Sequence, residues 1–302
     1  MSNYHQPVLL SESIKGLNIK PDGTYIDVTF GGGGHSRKIL EQLGEHGHLY
    51  AFDQDSDALK NTIDDKRFML INSNFIYIKN FMRFLQATPV DGILADLGVS
   101  SHQFDEPSRG FSIRYSGDLD LRMNTEEPTN AADIVNNYTK DDLKSIFQNY
   151  GELKNSWKLA ENIALYRSEK KIVTTDDLKE AISKCIPKFN DHKYLAQVFQ
   201  ALRIEVNHEM QYLETLLIKS KEILKPGGRL VVISYHSLED RPVKNFLRTG
   251  NFKGKVEKDF YGNEINDMIL IPRKPITPSE EEIKINNRAR SAKLRIAEKK
   301  KE

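Results

Sequence analysis

Residues 25–36 read YIDVTFGGGGHS, an apolar β-branched run that meets four consecutive glycines and a histidine. A short strand followed by bare backbone is the signature of a strand-to-helix turn, because glycine accepts positive φ and lets another molecule approach the main chain. Outward from this stretch lie other runs of the same kind. TYIDVTF at 24–30, HLYAFD at 48–53, FMLIN at 68–72, DGILADL at 91–97 and RLVVISY at 229–235 have the continuous apolar character of strands buried on both faces. Helical patterns separate the first of them: SRKILEQLG stops at Gly44, and SDALKNTI opens at Ser56 as an N-cap. This alternation predicts an α/β fold with a parallel, doubly wound sheet.

The fifth strand follows the fourth by over a hundred residues, too many for an ordinary crossover, so the sequence between them reads as an insertion. There the pattern changes to capped amphipathic helices. Thr139 with Asp142 opens KDDLKSIFQNYG, Asn155 precedes SWKLAENIALYRSEKK, and Thr174 with Asp177 opens DDLKEAISKCI before Pro187. The predicted organisation is a Rossmann-like domain, residues 1–104 and 206–302, carrying a small helical domain, residues 105–205. Residues 250–279 suggest irregular structure, and the tail beyond them a surface helix or partial disorder.

Composition bounds the function classes. Lys plus Arg number 44 against 43 Asp plus Glu, so overall charge indicates no polyanionic partner; from Lys284 onward, however, eight cations face two acids. One cysteine, Cys185, excludes an internal disulfide and a cysteine-based zinc site, and no metal is expected. The N-terminal MSNYHQPVLLSESIKG lacks an export signal and no run approaches a membrane span, which makes a cytoplasmic setting the expectation. Oligomeric state is open, a homodimer included.

The glycine run does not satisfy G-x-G-x-x-G: counted from Gly31 the last position is Ser36, and from Gly32 it is Arg37. No Gly-Lys-Ser/Thr follows either, which excludes a P-loop. With Asp27 four residues before Gly31, the turn resembles the first loop of S-adenosylmethionine-dependent methyltransferases. Asp53, about twenty residues on, stands where a carboxylate accepts ribose hydroxyls, or is a turn aspartate in DQDSD. ADLGVSSHQFD places Asp96, Ser100, Ser101, His102 and Gln103 at the carboxyl edge of the sheet. SYHSLEDRPVK places His236, Glu239, Asp240 and Arg241 there too, with Ser237 and Asp240 also readable as a capping box.

The assembled motifs resemble, nearly end to end, the MraW-type small-subunit ribosomal RNA (cytosine-N4) methyltransferases: HQPVLLSE, GTYIDVTFGGGGHS, DGILADLGVSSHQFDEPSRGFS, LDLRMN, FQALRIEVNHE, LKPGGRLVVISYHSLEDRPVK and NNRARSAKLRIAE. The resemblance implies S-adenosylmethionine as cofactor, contacted by Gly33, Gly34, His35, Asp53, Phe75, Asp96 and Gln103. It also implies 16S ribosomal RNA of the small subunit as partner, with N4-methylcytidine in the decoding centre as product. Enzymes that methylate exocyclic amines of DNA carry D/N-P-P-Y/F after the fourth strand; here DLGV stands there, as in the RNA family, and leaves the amine-holding groups open.

Asp96 and the DLGV backbone are candidates to grip the amine, with His236 or Asp240 as proton acceptor. Phe104, Phe111 and Tyr235 are candidate stacking partners for a flipped base. Arg109, Arg114 and Arg241, with Arg288, Arg290, Lys293 and Arg295 of the tail, are candidate phosphate contacts. An oxidoreductase on the same fold is disfavoured by the broken dinucleotide fingerprint. A non-enzymatic RNA-binding module is disfavoured by the intact cofactor motifs.

Overall fold

The computed structural model describes residues 7–301. Residues 1–6, with His5 and Gln6 of the first motif and the start of the stretch read for export signals, lie outside the described residues, as does residue 302. In chain order, α1 (Leu10–Leu17) leads to β1 (Thr24–Asp27), α2 (Gly34–Leu40), β2 (His48–Asp53), β3 (Phe68–Asn72), α3 (Ile78–Phe84) and β4 (Val90–Asp96). Six helices follow: α4 (Ser101–Asp105), α5 (Ala131–Asn137), α6 (Lys140–Asn149), α7 (Ser156–Glu169), α8 (Thr175–Ala181) and α9 (Asp191–Val206). The chain then returns through α10 (Glu209–Ile223), β5 (Leu224–Ser234), α11 (Ser237–Thr249), β6 (Met268–Leu270), α12 (Glu280–Ile285) and β7 (Lys293–Lys299).

Two compact units result, Met1–Gly98 with Met210–Glu302, and Val99–Glu209. The first holds a seven-stranded sheet of order β3-β2-β1-β4-β5-β7-β6. Strands β1 to β5 run parallel, and β7 lies antiparallel between β5 and β6. The apolar runs are continuous because successive residues serve opposite faces. Ile93, Leu230 and Val232 join a core with α3, α10 and α11, whereas Leu94, Val231 and Ile233 join another with α1 and α2. Strand order reverses between β1 and β4, the switch point at which the carboxyl ends of open α/β sheets form ligand crevices.

The second unit is helical around its own core, which includes Leu143, Phe147, Leu159, Ile163, Val198 and Leu202. Thr139 caps α6 by accepting from Asp142 N at 3.1 Å, and Thr174 with Asp177 forms a capping box on α8. Asn155 precedes α7 as expected, yet makes no cap bond: its amide accepts from Tyr194 Oη at 3.2 Å and donates to Cys185 O at 3.3 Å. Val99 and Phe104 pack on this core, which is why the unit begins before residue 105. Its far end lies at Glu209, whose carboxylate takes the Arg203 guanidinium at 2.7 and 2.9 Å.

Three local expectations change. Residues Ser56–Asn61 form a 3₁₀ turn capped by Asp55, which accepts from Asp57 N at 3.1 Å, rather than a helix opened by Ser56. The helix expected to run to Gly44 is regular only to Leu40. The basic tail opens as a surface helix, α12, which buries none of its residues, but its second part does not stay at the surface: Leu294, Arg295, Ile296 and Ala297 are buried in β7, paired with β5 and β6.

Candidate active site

Everything at the carboxyl edge of the sheet is arranged around carboxyl groups at strand ends. Asp27 closes β1 and is buried; its Oδ2 accepts from Ser36 Oγ at 2.7 Å and its Oδ1 from Thr29 N at 3.1 Å. These bonds tie the end of the strand to the first turn of α2. Burial pushes its pKa up, and the bonds from Ser36 and Thr29 oppose that rise. The glycines between are sterically required. Gly33 has φ 73°, and a Cβ there would meet the Phe30 ring at 2.9 Å; at Gly34 it would meet Pro7 Cγ at 2.2 Å.

Asp53, at the end of β2, is joined to that turn. Its Oδ2 accepts from Gly31 N at 2.7 Å and its Oδ1 from Asp55 N at 2.9 Å. Burial pushes this carboxyl up to about 6 against the pull of those two bonds. Asp55 is the cap of the 3₁₀ turn, while the bond from Asp55 N makes Asp53 the turn aspartate that the sequence also allowed. Past β3, Phe75 opens a 3₁₀ turn and packs half-buried against the sheet core, while Asn74 Nδ2 donates to Gln54 Oε1 at 2.7 Å.

Asp96 ends β4 and links three strands. Its backbone N–H donates to Thr29 Oγ1 at 2.7 Å, and its Oδ1 accepts from Tyr235 Oη at 2.7 Å. Oδ2 lies 3.9 Å from His35 Nδ1, and His35 Nε2 donates to Val8 O at 3.2 Å. Burial raises Asp96 to about 6 despite His35 and Tyr235, and lowers the buried His35 imidazole, so desolvation disfavours the charge on both partners. Tyr235 was expected as a stacking ring or a core residue. It packs partly against the core and, beyond either reading, positions Asp96.

After β5, the N-cap of α11 is His236, with Glu239 as its reciprocal partner; the expected Ser237–Asp240 box does not form. Glu239 is buried, accepts from Tyr235 N at 2.7 Å, and holds His236 Nε2 at 3.0 Å. Asp240 is turned to β7, where Arg295 Nε and Nη2 donate to it at 2.7 and 3.1 Å. Burial would raise Asp240, but Arg295 and Lys293 outweigh it and hold the carboxyl below its usual range. A carboxylate so engaged is a poor proton acceptor, and that expectation is withdrawn for Asp240.

Residues 2–300 of the chain match the MraW methylase family. The chain belongs to that family. It is 58% identical over 299 residues to "Ribosomal RNA small subunit methyltransferase H" of Parabacteroides distasonis, covering 99% of this chain and 98% of that one. To the protein of that name from Flavobacterium johnsoniae it is 58% identical over 296 residues, 98% of each chain.

Within this MraW-family methyltransferase the remaining expected residues divide by exposure. Arg295 is buried against Asp240. Arg109 is buried in the helical unit, where it donates to Arg122 O and Met123 O at 3.0 Å each. Both guanidiniums are structural, which removes them as phosphate contacts. Arg114, Arg241, Arg288 and Arg290 are exposed, and Lys293, 3.4 Å from Asp240, is partly so. Phe111 is buried in the helical core and is not placed to stack on a base, whereas Phe104 is only partly buried against that core. Gln103 lies in the helical unit, buried, and forms a capping box with Ser100. The Tyr235–Asp96 bond left no signal in the sequence, because it needs the β4–β5 edge to be assembled; the Glu239 clamp is local, and its signal was the three-residue spacing from His236.

Proposed function

We propose that this protein transfers a methyl group from S-adenosylmethionine to the exocyclic N4 of a cytidine in the decoding centre of 16S ribosomal RNA, in the cytoplasm. The observation that carries the reading is a bare glycine turn flanked by Asp53 and Asp96 at the switch point of a MraW-family chain. Relatives named as ribosomal RNA small subunit methyltransferases supply the substrate class.

The residues present fit the cofactor. Each Asp53 oxygen accepts one backbone N–H and keeps a lone pair for a ribose hydroxyl. Gly33 and Gly34 hold the tight turn, where a Cβ would meet Phe30 or Pro7 of the chain itself, and with His35, Phe75 and Gln103 they complete the proposed contacts. When bound, S-adenosylmethionine supplies an electrophilic methyl group on sulfonium sulfur.

The cytosine N4 lone pair is delocalised into the ring, so an acceptor must draw it onto nitrogen. Asp96 suits this role, because with Tyr235 holding Oδ1 and its pKa raised to about 6 it is ionised at neutral pH yet receptive to a proton. Positioning contributes more than base strength, since orientation supplies roughly 7–11 kcal/mol and a general base about 10²–10⁴ in rate. His236, engaged with Glu239, is the alternative proton acceptor.

Recognition is assigned to the helical unit, residues 99–209, and to the exposed cations Arg114, Arg241, Arg288, Arg290 and Lys293. Few base contacts give little discrimination, about 1–3 kcal/mol per bidentate pair, so shape presented by an assembled or nearly assembled small subunit should dominate. The test is transfer of labelled methyl to unmodified small subunits and to protein-free RNA, followed by digestion to nucleosides to identify the base and by mapping of labelled RNA fragments to locate it. Labelled N4-methylcytidine at one decoding-centre position, formed faster on subunits, is expected. Label on another base refutes the target, and equal rates on free RNA refute shape recognition.

A further inference from the structure

Between α11 and β6 the chain forms a small hairpin that the cofactor chemistry does not use. Lys258 and Glu264 pair as an antiparallel bridge. Asp259 N donates to Asn263 O at 2.9 Å, and Ile265 N to Glu257 O at 2.9 Å. Within the turn, Asp259 Oδ1 accepts from Tyr261 N at 2.8 Å and Asn263 N at 2.9 Å, and Gly262 takes φ 85°. The base is clamped as well. Buried Asn266 donates to Leu247 O and Met268 O at 3.1 Å each, and Phe252 stacks on Phe246 with ring centroids 5.1 Å apart.

This ordered turn carries Phe260 and Tyr261 at its tip, 97% and 85% exposed, edge to face at 5.6 Å. Neither ring contributes to the hydrogen bonds that fix the turn, and exposed aromatic surface gains nothing from water. The stretch of chain leading into the turn is cationic, with Arg241, Lys244, Arg248, Lys253 and Lys255 and no acid over 241–256, while the turn itself, 257–264, carries Lys258 with Glu257, Asp259 and Glu264. Arg241, Lys244, Arg248, Lys253, Lys255 and Lys258 are all exposed. Rings held in place at the end of an exposed, cation-rich stretch of chain offer the two parts that single-stranded nucleic acid requires, π faces for bases and cations for phosphates.

We infer that the Phe260–Tyr261 tip is a stacking platform for unpaired nucleobases of the RNA substrate, with the neighbouring lysines and arginines following its phosphates. This rests on the RNA-methylation reading above. The tip side chains support no other part of the fold, so their replacement leaves the protein folded.

Affinity for purified small subunits and for protein-free small-subunit RNA is measured for the intact protein, for Phe260→Ala with Tyr261→Ala, and for Phe260→Trp with Tyr261→Trp. The alanine pair should bind at least fivefold more weakly, which is about 1 kcal/mol, and the tryptophan pair should retain affinity. A photo-crosslinking residue at position 260 should join to RNA. Unchanged affinity in the alanine pair overturns the platform while leaving the methylation reading intact. Crosslinks confined to a ribosomal protein, or to a second copy of this chain, overturn it in favour of a protein interface. Failure of the intact protein to bind either RNA or subunits removes both readings together.

Discussion

Asp96 is the residue at which stability and the proposed chemistry oppose each other. Its carboxyl titrates near 6 in the folded protein, against an ordinary value of 3.8, because burial disfavours its charge. Between those values the folded state binds the proton and the unfolded state does not, so this group's contribution to stability falls as pH rises from about 4 to about 6. Above that range the cost is complete. Asp96→Asn removes it, while its carbonyl still accepts from Tyr235 and its amide faces the unprotonated Nδ1 of His35. The variant should therefore be about 1–3 kcal/mol more stable than the parent at pH 8, with the difference gone by pH 4, and should lose methyl transfer by 10²-fold or more. Thermal unfolding across that range checks the sign. An Asn variant less stable at pH 8 would mean that His35 and Asp96 form a true ion pair.

At the scale of elements, β7 shows how a charged segment becomes interior. Its Arg295 side chain is 5% exposed and that of its partner Asp240 13%, so α11 and β7 are joined by a largely desolvated pair. Removing one member strands the other, which costs about 3–5 kcal/mol, whereas replacing both with apolar groups is close to neutral. Asp240→Ala should destabilise by that amount, and Asp240→Leu with Arg295→Met should recover most of it in denaturant unfolding. The pH dependence has the opposite sign to that of Asp96. Asp240 is held below its usual range, so its contribution is present above about pH 4 and is lost as pH falls through the folded value. No recovery in the double variant would show that the pair specifies strand placement, and an equally stable single variant would show that it does not act as a unit.

For the whole molecule, the decisive fact is that the cores are separate. Every buried residue of the helical core lies between Phe111 and Val206, and the sheet cores draw on none of them. Replacing residues 99–209 by a short linker should thus leave a sheet unit that unfolds cooperatively, binds S-adenosylmethionine more weakly for want of Gln103, and no longer methylates RNA. A cut inside the unit, over 125–200, should fare worse, because it strips Leu119, Leu121 and Leu202 of their neighbours. Calorimetry of the two chains distinguishes them; loss of cooperative unfolding after the outer cut would mean that the sheet depends on the helical unit.

What the sequence determined by itself is local in origin. The five parallel strands and the glycine turn were legible because burial on both faces writes itself into consecutive residues, and because Gly, Asp, Thr and Ser punctuate the ends of elements within a few positions. The strand-end carboxylates Asp53 and Asp96 were legible for the same reason. Tertiary structure alone decided the pairings: Tyr235 with Asp96 across 139 positions and Arg295 with Asp240 across 55. Arg109 and Arg295 carry the same side chain as Arg114 and Arg290, and nothing near them in the sequence marks the first two as buried. Likewise KLRIAEK looked like a basic tail, since a strand inserted antiparallel beside β5 owes its burial to neighbours that sequence periodicity does not record. A charge is read as surface until a distant partner takes it inside, and that partner is supplied only by the assembled sheet.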